Sequence, residues 1–234
     1  MLTLAEKLLL IALDDQTGKI NMNASQSIHY GLAGAILMEL TMQRCLDYNE
    51  KDKTIHIPQN ANCKDELLND SLLYLKDKYH GKTPKLQRVV QTLGFHINWH
   101  KKHIPFIERL IEKGILTKDE QKVLFLFTRN VYPSTQSGRE DSIREKLRKA
   151  VLSNEDQEME EQIFSLIGLL KACQIDKQLF SKDEYKLAKE KINRLMKKSP
   201  HGKAVSDTMQ AMQAAVITSV TTTAVVAASS SASS

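Results

Sequence analysis

Apolar side chains recur at helical spacing from the first residues of this chain. Leu4, Leu8 and Ile11 form one stripe with Leu9 and Leu13 beside it, the period of an amphipathic helix with a buried face. The stretch covers residues 2 to 13. Asp14-Asp15-Gln16-Thr17-Gly18 closes it with a glycine able to take a positive φ. A second helix is predicted from about Asn23, an N-cap residue type. It contains Gly31-Leu32-Ala33-Gly34-Ala35-Ile36-Leu37-Met38-Glu39-Leu40, apolar enough to be a central helix. Gly31 and Gly34 each cost about 1 kcal/mol of helix propensity relative to alanine, which places them where another element packs close to the backbone.

Further along, Arg44 to Tyr48 and Thr54 to Pro58 flank Asn49-Glu50-Lys51-Asp52 and read as a short hairpin. Helices are predicted at 65–79 and 85–93, bracketed by Gly81 and Pro84. A third stretch, Phe95 to Lys113, contains Pro105, so it either kinks or starts a new helix there. Ile115-Leu116-Thr117 and the run Lys122 to Thr128 are β-branched or aromatic, and Val131-Tyr132-Pro133 follows after Arg129-Asn130, a predicted strand pair. Leu124 and Leu126 alternate with Phe125 and Phe127, so both strand faces are apolar. Ser137-Gly-Arg-Glu140 and Ser181-Lys-Asp-Glu184 have capping-box spacing ahead of helices at 139–152 and 182–198. Between them 158–173 reads as a helix, and Ser199-Pro200-His201-Gly202 leads into the last one. The fold class is mostly α: one multi-helix domain over residues 1–228, built around a buried central helix, with 229–234 as a frayed tail.

Composition changes this picture little. The chain has 234 residues, 41% hydrophobic and 26% charged, ordinary for one globular domain. Cys45, Cys63 and Cys173 are odd in number and widely spaced, which predicts free thiols in a reducing, cytoplasmic setting. Thr208 to Ser234 is uncharged, but Gln210, Gln213, Thr218, Ser219 and Thr221 to Thr223 interrupt it, and an amphipathic closing helix is favoured over a membrane span.

Charge distribution is more informative than the net +5. From Lys76 to Lys113 nine Lys or Arg face only Asp77, Glu108 and Glu112, and His80, His96, His100 and His103 lie in the same stretch. A second basic stretch runs from Lys182 to Lys203. Such polarisation suggests an anionic partner, phospholipid or nucleic acid; the alternative is simply solvated helices. His96, His100 and His103 at i, i+4 and i+7 could present three nitrogens on one helical face, but no cysteine or carboxylate stands near in sequence to complete a metal site. With Trp99, Lys101 and Lys102 among them, they read better as a cationic, aromatic-edged anion patch that strengthens below about pH 6.5. A nucleophile elbow, phosphate-binding glycine loop, HExxH and catalytic carboxylate pair are all lacking from the sequence. Neither catalysis, nor a metal, nor a cofactor is expected.

These motifs in this order resemble the Golgi phosphoprotein family, phosphoinositide-binding adaptors of Golgi membranes with many bacterial relatives. The resemblance rests on Leu-Thr-Leu-Ala-Glu-Lys-Leu-Leu-Leu with Asp-Asp-Gln-Thr-Gly, on Gly31 to Leu40, on Arg109-Leu-Ile-Glu-Lys-Gly-Ile-Leu-Thr117 leading to Tyr132-Pro133, on Glu145 to Leu152, and on the alanine- and valine-rich last helix. It implies a helical domain with a β-hairpin projecting toward membrane or neighbouring protomers. Eukaryotic members bind phosphatidylinositol 4-phosphate through a tryptophan before the glycine-containing helix, an arginine between its glycines and two arginines on a later helix. Here those positions fall at Ala24, Ala33, His100 and His103, so the headgroup pocket is mostly replaced and the pattern is similar to the bacterial branch.

The expectation is a non-enzymatic, peripherally membrane-associated module, on the cytosolic Golgi face if eukaryotic. It docks anionic phospholipid through Trp99, His100, Lys101, Lys102 and His103, while Phe125, Phe127 and Tyr132 on the hairpin add membrane contact or homo-oligomerisation. Two rivals stand beside it. A helix followed by Lys-Gly-Ile-Leu-Thr and two strands also resembles a winged-helix element for nucleic acid, the less favoured reading, and a protein adaptor with neither ligand is the other.

Overall fold

The computed structural model describes residues 1–14, 17–123, 127–135, 137–153, 159–198 and 202–231. Helix α1, Leu4–Ala12, begins with a reciprocal cap: Thr3 Oγ1 accepts from the Glu6 amide at 3.2 Å, and the Glu6 carboxylate accepts from the Thr3 amide at 2.7 Å. Every residue of α1 except Lys7 is buried. Gly18, at φ +58°, turns the chain, and Ile20 bridges back to Leu13.

The helix predicted from Asn23 is two helices. Asn21 caps the single turn α2, Met22–Ser25, and α3, Ile28–Met42, starts afresh. Ser27, between them, hydrogen-bonds the Ala24 carbonyl, the local competition with helix that serine offers. α3 is the buried centre and packs on α1. A Cβ on Gly31 would stand 2.5 Å from the Cys173 sulfur, and one on Gly34 2.7 Å from the Met212 sulfur, so these glycines admit neighbouring helices as expected.

Next come β1, Asp47–Asn49, and β2, Thr54–His56, antiparallel with Tyr48 opposite Ile55. α4, Glu66–Tyr79, is capped by Asp65, and α5, Leu86–Trp99, is followed by α6, Ile104–Glu112, with Pro105 in its first turn. Pro105 therefore starts a helix, where its missing N–H costs nothing. α7 covers Ser137–Leu152, α8 Glu161–Ala172, a 3₁₀ turn Asp176–Leu179, α9 Lys182–Lys198 and α10 Gly202–Ser231. α5, α8 and α10 surround α3, while α7 packs on α9 at the periphery. Ser181 and Glu184 form the expected box at the head of α9. The expected tail straddles the end of α10, which is helical to Ser231; 232–234 lie outside the described residues.

The second strand pair differs from expectation. β3 is Asp119–Val123 and β4 Phe127–Val131, antiparallel with Val123 opposite Phe127. The run 122–128 thus contributes to both strands, and 124–126 lie outside the described residues. Apolar residues on both faces give alternation nothing with which to set a register. Among the described residues, ten helices and two small strand pairs make a mostly α domain.

Candidate functional site

The site is the junction of α5 and α6. α5 stops at His100, and Lys101 takes a left-handed backbone, φ +50°, after which the Lys102 amide bonds the Ile97 carbonyl at 2.9 Å. This tight reversal leaves Trp99, His100, Lys101 and Lys102 exposed and His103 half-buried at the start of α6. Trp99, 72% exposed, stacks on Phe95, its centroid 5.9 Å away.

The reversal also separates side chains that an unbroken helix would align. His96 stacks on Tyr74 of α4 at 3.7 Å and, with Lys102, lines a small recess beside Asp70. Lys101 and His103 line a different hollow, of about 360 Å³, whose other walls are Lys19 and Ile20 before α2, Asn98 on α5, and Tyr132 after β4. His96 and His100 stay together, ring centroids 4.7 Å apart, but His103 turns into the hollow, so the three-ring array does not form.

Gly18 holds the far wall of this hollow. Its carbonyl accepts from the Tyr132 amide at 3.0 Å, and a Cβ there would lie 2.4 Å from the Tyr132 backbone. Tyr132 is half-buried against the core and lines the hollow. Phe125 lies outside the described residues, and Phe127 occupies the register position opposite Val123.

Lys19 and Lys101 supply the charge of the hollow, with Lys102 outside it. Among the described residues neither Lys19, Lys101 nor Lys102 enters an ion pair, and the start of α6 adds the positive end of its helix dipole. The imidazoles contribute less than the sequence suggests. Burial, then Lys101, pushes His103 below its usual 6.5; burial, then His100 and Lys102, does the same to His96. His29 falls to about 4 through burial and then His103. Protonation of His96 and His103, expected near pH 6.5, is displaced to lower pH.

Two of the remaining cations of this stretch are committed to carboxylates. Arg109 reaches Glu6 and Asp65, each at 2.8 Å, and Lys113 reaches Glu6 at 2.6 Å. Glu6 is fully buried. Lys85 donates to the Asp52 carbonyl. Ala24 and Ala33 are both fully buried, and a methyl there reaches no ligand.

Lys19 and Asn98 escaped sequence reasoning because nothing local marks them, and Gly18 was legible only as a turn; only the fold carries residues 18–20 to the α5–α6 junction. Thr3 and Glu6, by contrast, carry a legible S/T-x-x-E cap signal. Among the described residues no helix is long and apolar enough to cross a membrane.

A family model described as Golgi phosphoprotein 3 (GPP34) matches residues 4–212. No curated protein matches the chain. The matched span runs from the first residue of α1 into α10 and includes the core, the α5–α6 junction and both strand pairs. The chain belongs to the Golgi phosphoprotein 3 (GPP34) family.

Proposed function

We propose that this protein is a non-enzymatic peripheral membrane module that docks an anionic phospholipid through Trp99, His100, Lys101, Lys102 and His103, on the cytosolic face of the Golgi if the cell has one. The observation that carries the reading is the hollow in which Lys19 and Lys101 meet beside the start of α6. Its volume of about 360 Å³ falls in the ~300–1,000 Å³ range of small-molecule sites. Two unpaired ammonium groups beside the positive end of the α6 dipole favour phosphate, and family membership supports an adaptor. Lys102 and His100 lie outside the hollow, and Lys102 adds to the field toward a negatively charged leaflet, where each lysine contributes about 1 kcal/mol. Self-association through Phe125 and Phe127 is the finer part of the same proposal, checked by light scattering of Phe125→Ser.

Flotation with phosphatidylcholine vesicles, with and without a phosphoinositide, tests the reading. Binding confined to the anionic vesicles and weakening with salt is expected. Equal partition to both vesicles overturns headgroup recognition, and a salt-sensitive duplex-DNA shift without vesicle binding favours the nucleic-acid reading.

A further inference from the structure

Beside the hollow stands an exposed aromatic surface that shares Trp99 with the docking residues. Phe95 and Trp99 occupy successive turns of the last part of α5, 62% and 72% exposed, with rings stacked at 15°. A soluble surface has little reason to hold two large aromatic side chains out of the core together. Isolated exposed apolar residues are ordinary, but paired aromatics next to unmatched cations have the composition of a membrane-interface anchor, an apolar body with positive charge at its rim. The cations are in place: Lys101 and Lys102 follow Trp99 and His100 directly and are exposed. Burial of the same α5 on its opposite side, through Val89, Val90, Leu93 and Ile97, fixes the helix, so the ring pair cannot turn inward.

We infer that Phe95 and Trp99 form a two-ring wedge that enters the headgroup–acyl boundary of an anionic bilayer while the neighbouring lysines remain among the phosphates. This deepens the proposed lipid docking and rests on it. It assigns Trp99 to the acyl boundary instead of the headgroup, adds Phe95 to the membrane surface, and orients the molecule with the C-terminal end of α5 toward the lipid. A bilayer is favoured over a protein groove because of the flanking positive charge and the continuity with the lysine-lined hollow.

The sequence holds one tryptophan, so emission excited at the red edge, where tyrosine does not absorb, reports Trp99 alone. The full chain is mixed with phosphatidylcholine vesicles, with or without phosphatidylserine and a phosphoinositide, some carrying brominated acyl chains. The wedge predicts an emission shift to shorter wavelength and quenching by the brominated chains on the anionic vesicles. Phe95→Ala, at an exposed site with its helical circular dichroism unchanged, weakens partition about tenfold, as expected for losing most of one buried aromatic side chain. Flotation with anionic vesicles while Trp99 emission stays unshifted and unquenched overturns the wedge and leaves headgroup docking standing. A shift of equal size on neutral vesicles supports the wedge and overturns headgroup recognition. Absence of binding to every vesicle overturns both.

Discussion

Arg109 and Lys113 carry the same charge as Lys101 and Lys102 and stand near the far end of the helix that begins where those two end, yet the two pairs have opposite fates. The first pair closes on fully buried Glu6 and on Asp65; the second stands in solvent without an ion-pair partner among the described residues. A charge committed to a buried carboxylate holds the fold together and is lost to any ligand. A charge left unmatched beside a hollow costs the fold little and keeps its attraction for a phosphate.

The sharpest way to break the comparison is on the committed side. Arg109→Ala leaves Glu6 buried with only Lys113 as its cation, and stability should fall by about 3 kcal/mol, read from the urea midpoint. Lys101→Ala in parallel should leave that midpoint within about 0.5 kcal/mol of wild type. Comparable losses in both variants would erase the distinction.

Gly18→Ala tests whether the hollow depends on its far wall. A methyl group 2.4 Å from the Tyr132 backbone, at a residue with φ +58°, should cost at least about 2 kcal/mol. Anionic-vesicle binding should fall with it. Binding that survives an equal loss of stability would detach the hollow from lipid docking.

On the uncommitted side, Lys101→Ala and Lys102→Ala should each weaken binding to anionic vesicles by about 1 kcal/mol, roughly fivefold, and the difference should shrink in high salt. Lys101→Ala should be the more damaging for a phosphoinositide, because Lys101 lines the hollow and Lys102 lines the recess beside Asp70.

The smallest effect is in pH. His29 is held at about 4, so the unfolded imidazole takes up its proton near pH 6.5 and the folded one only near 4. Its share of stability is therefore complete above pH 6.5 and lost as pH falls toward 4. Glu39 and Asp176, raised by burial, work in the opposite sense at the acid end. His29→Asn should flatten the decline between pH 6.5 and 4, and a proton NMR titration of the His29 ring with a midpoint near 6.5 would contradict this account.

Most helices were legible because their cause is local. The apolar stripe of α1, the glycine-bearing centre of α3 and the Ser181–Glu184 box each sit within a few residues of what they determine. Misreadings occurred where local signals were silent or balanced. Residues 122–128 are apolar on both faces, so no register outranked another, and the helix expected from Asn23 hid a reset at Ser27. The lysines and histidines of the candidate site were visible as a cluster, but which of them share a hollow was not.

By itself the sequence determined the class of fold, the central helix and the basic character of the α5–α6 junction, since hydrophobic period, caps and charge are properties of neighbouring residues. Only the tertiary structure decided that Glu6 and Asp65 claim Arg109 and Lys113, that Lys19 and Tyr132 join Lys101, and that His103 loses basicity. Those outcomes depend on burial and on contacts between residues far apart in the chain, and a charge has no fate until the fold has chosen its neighbours.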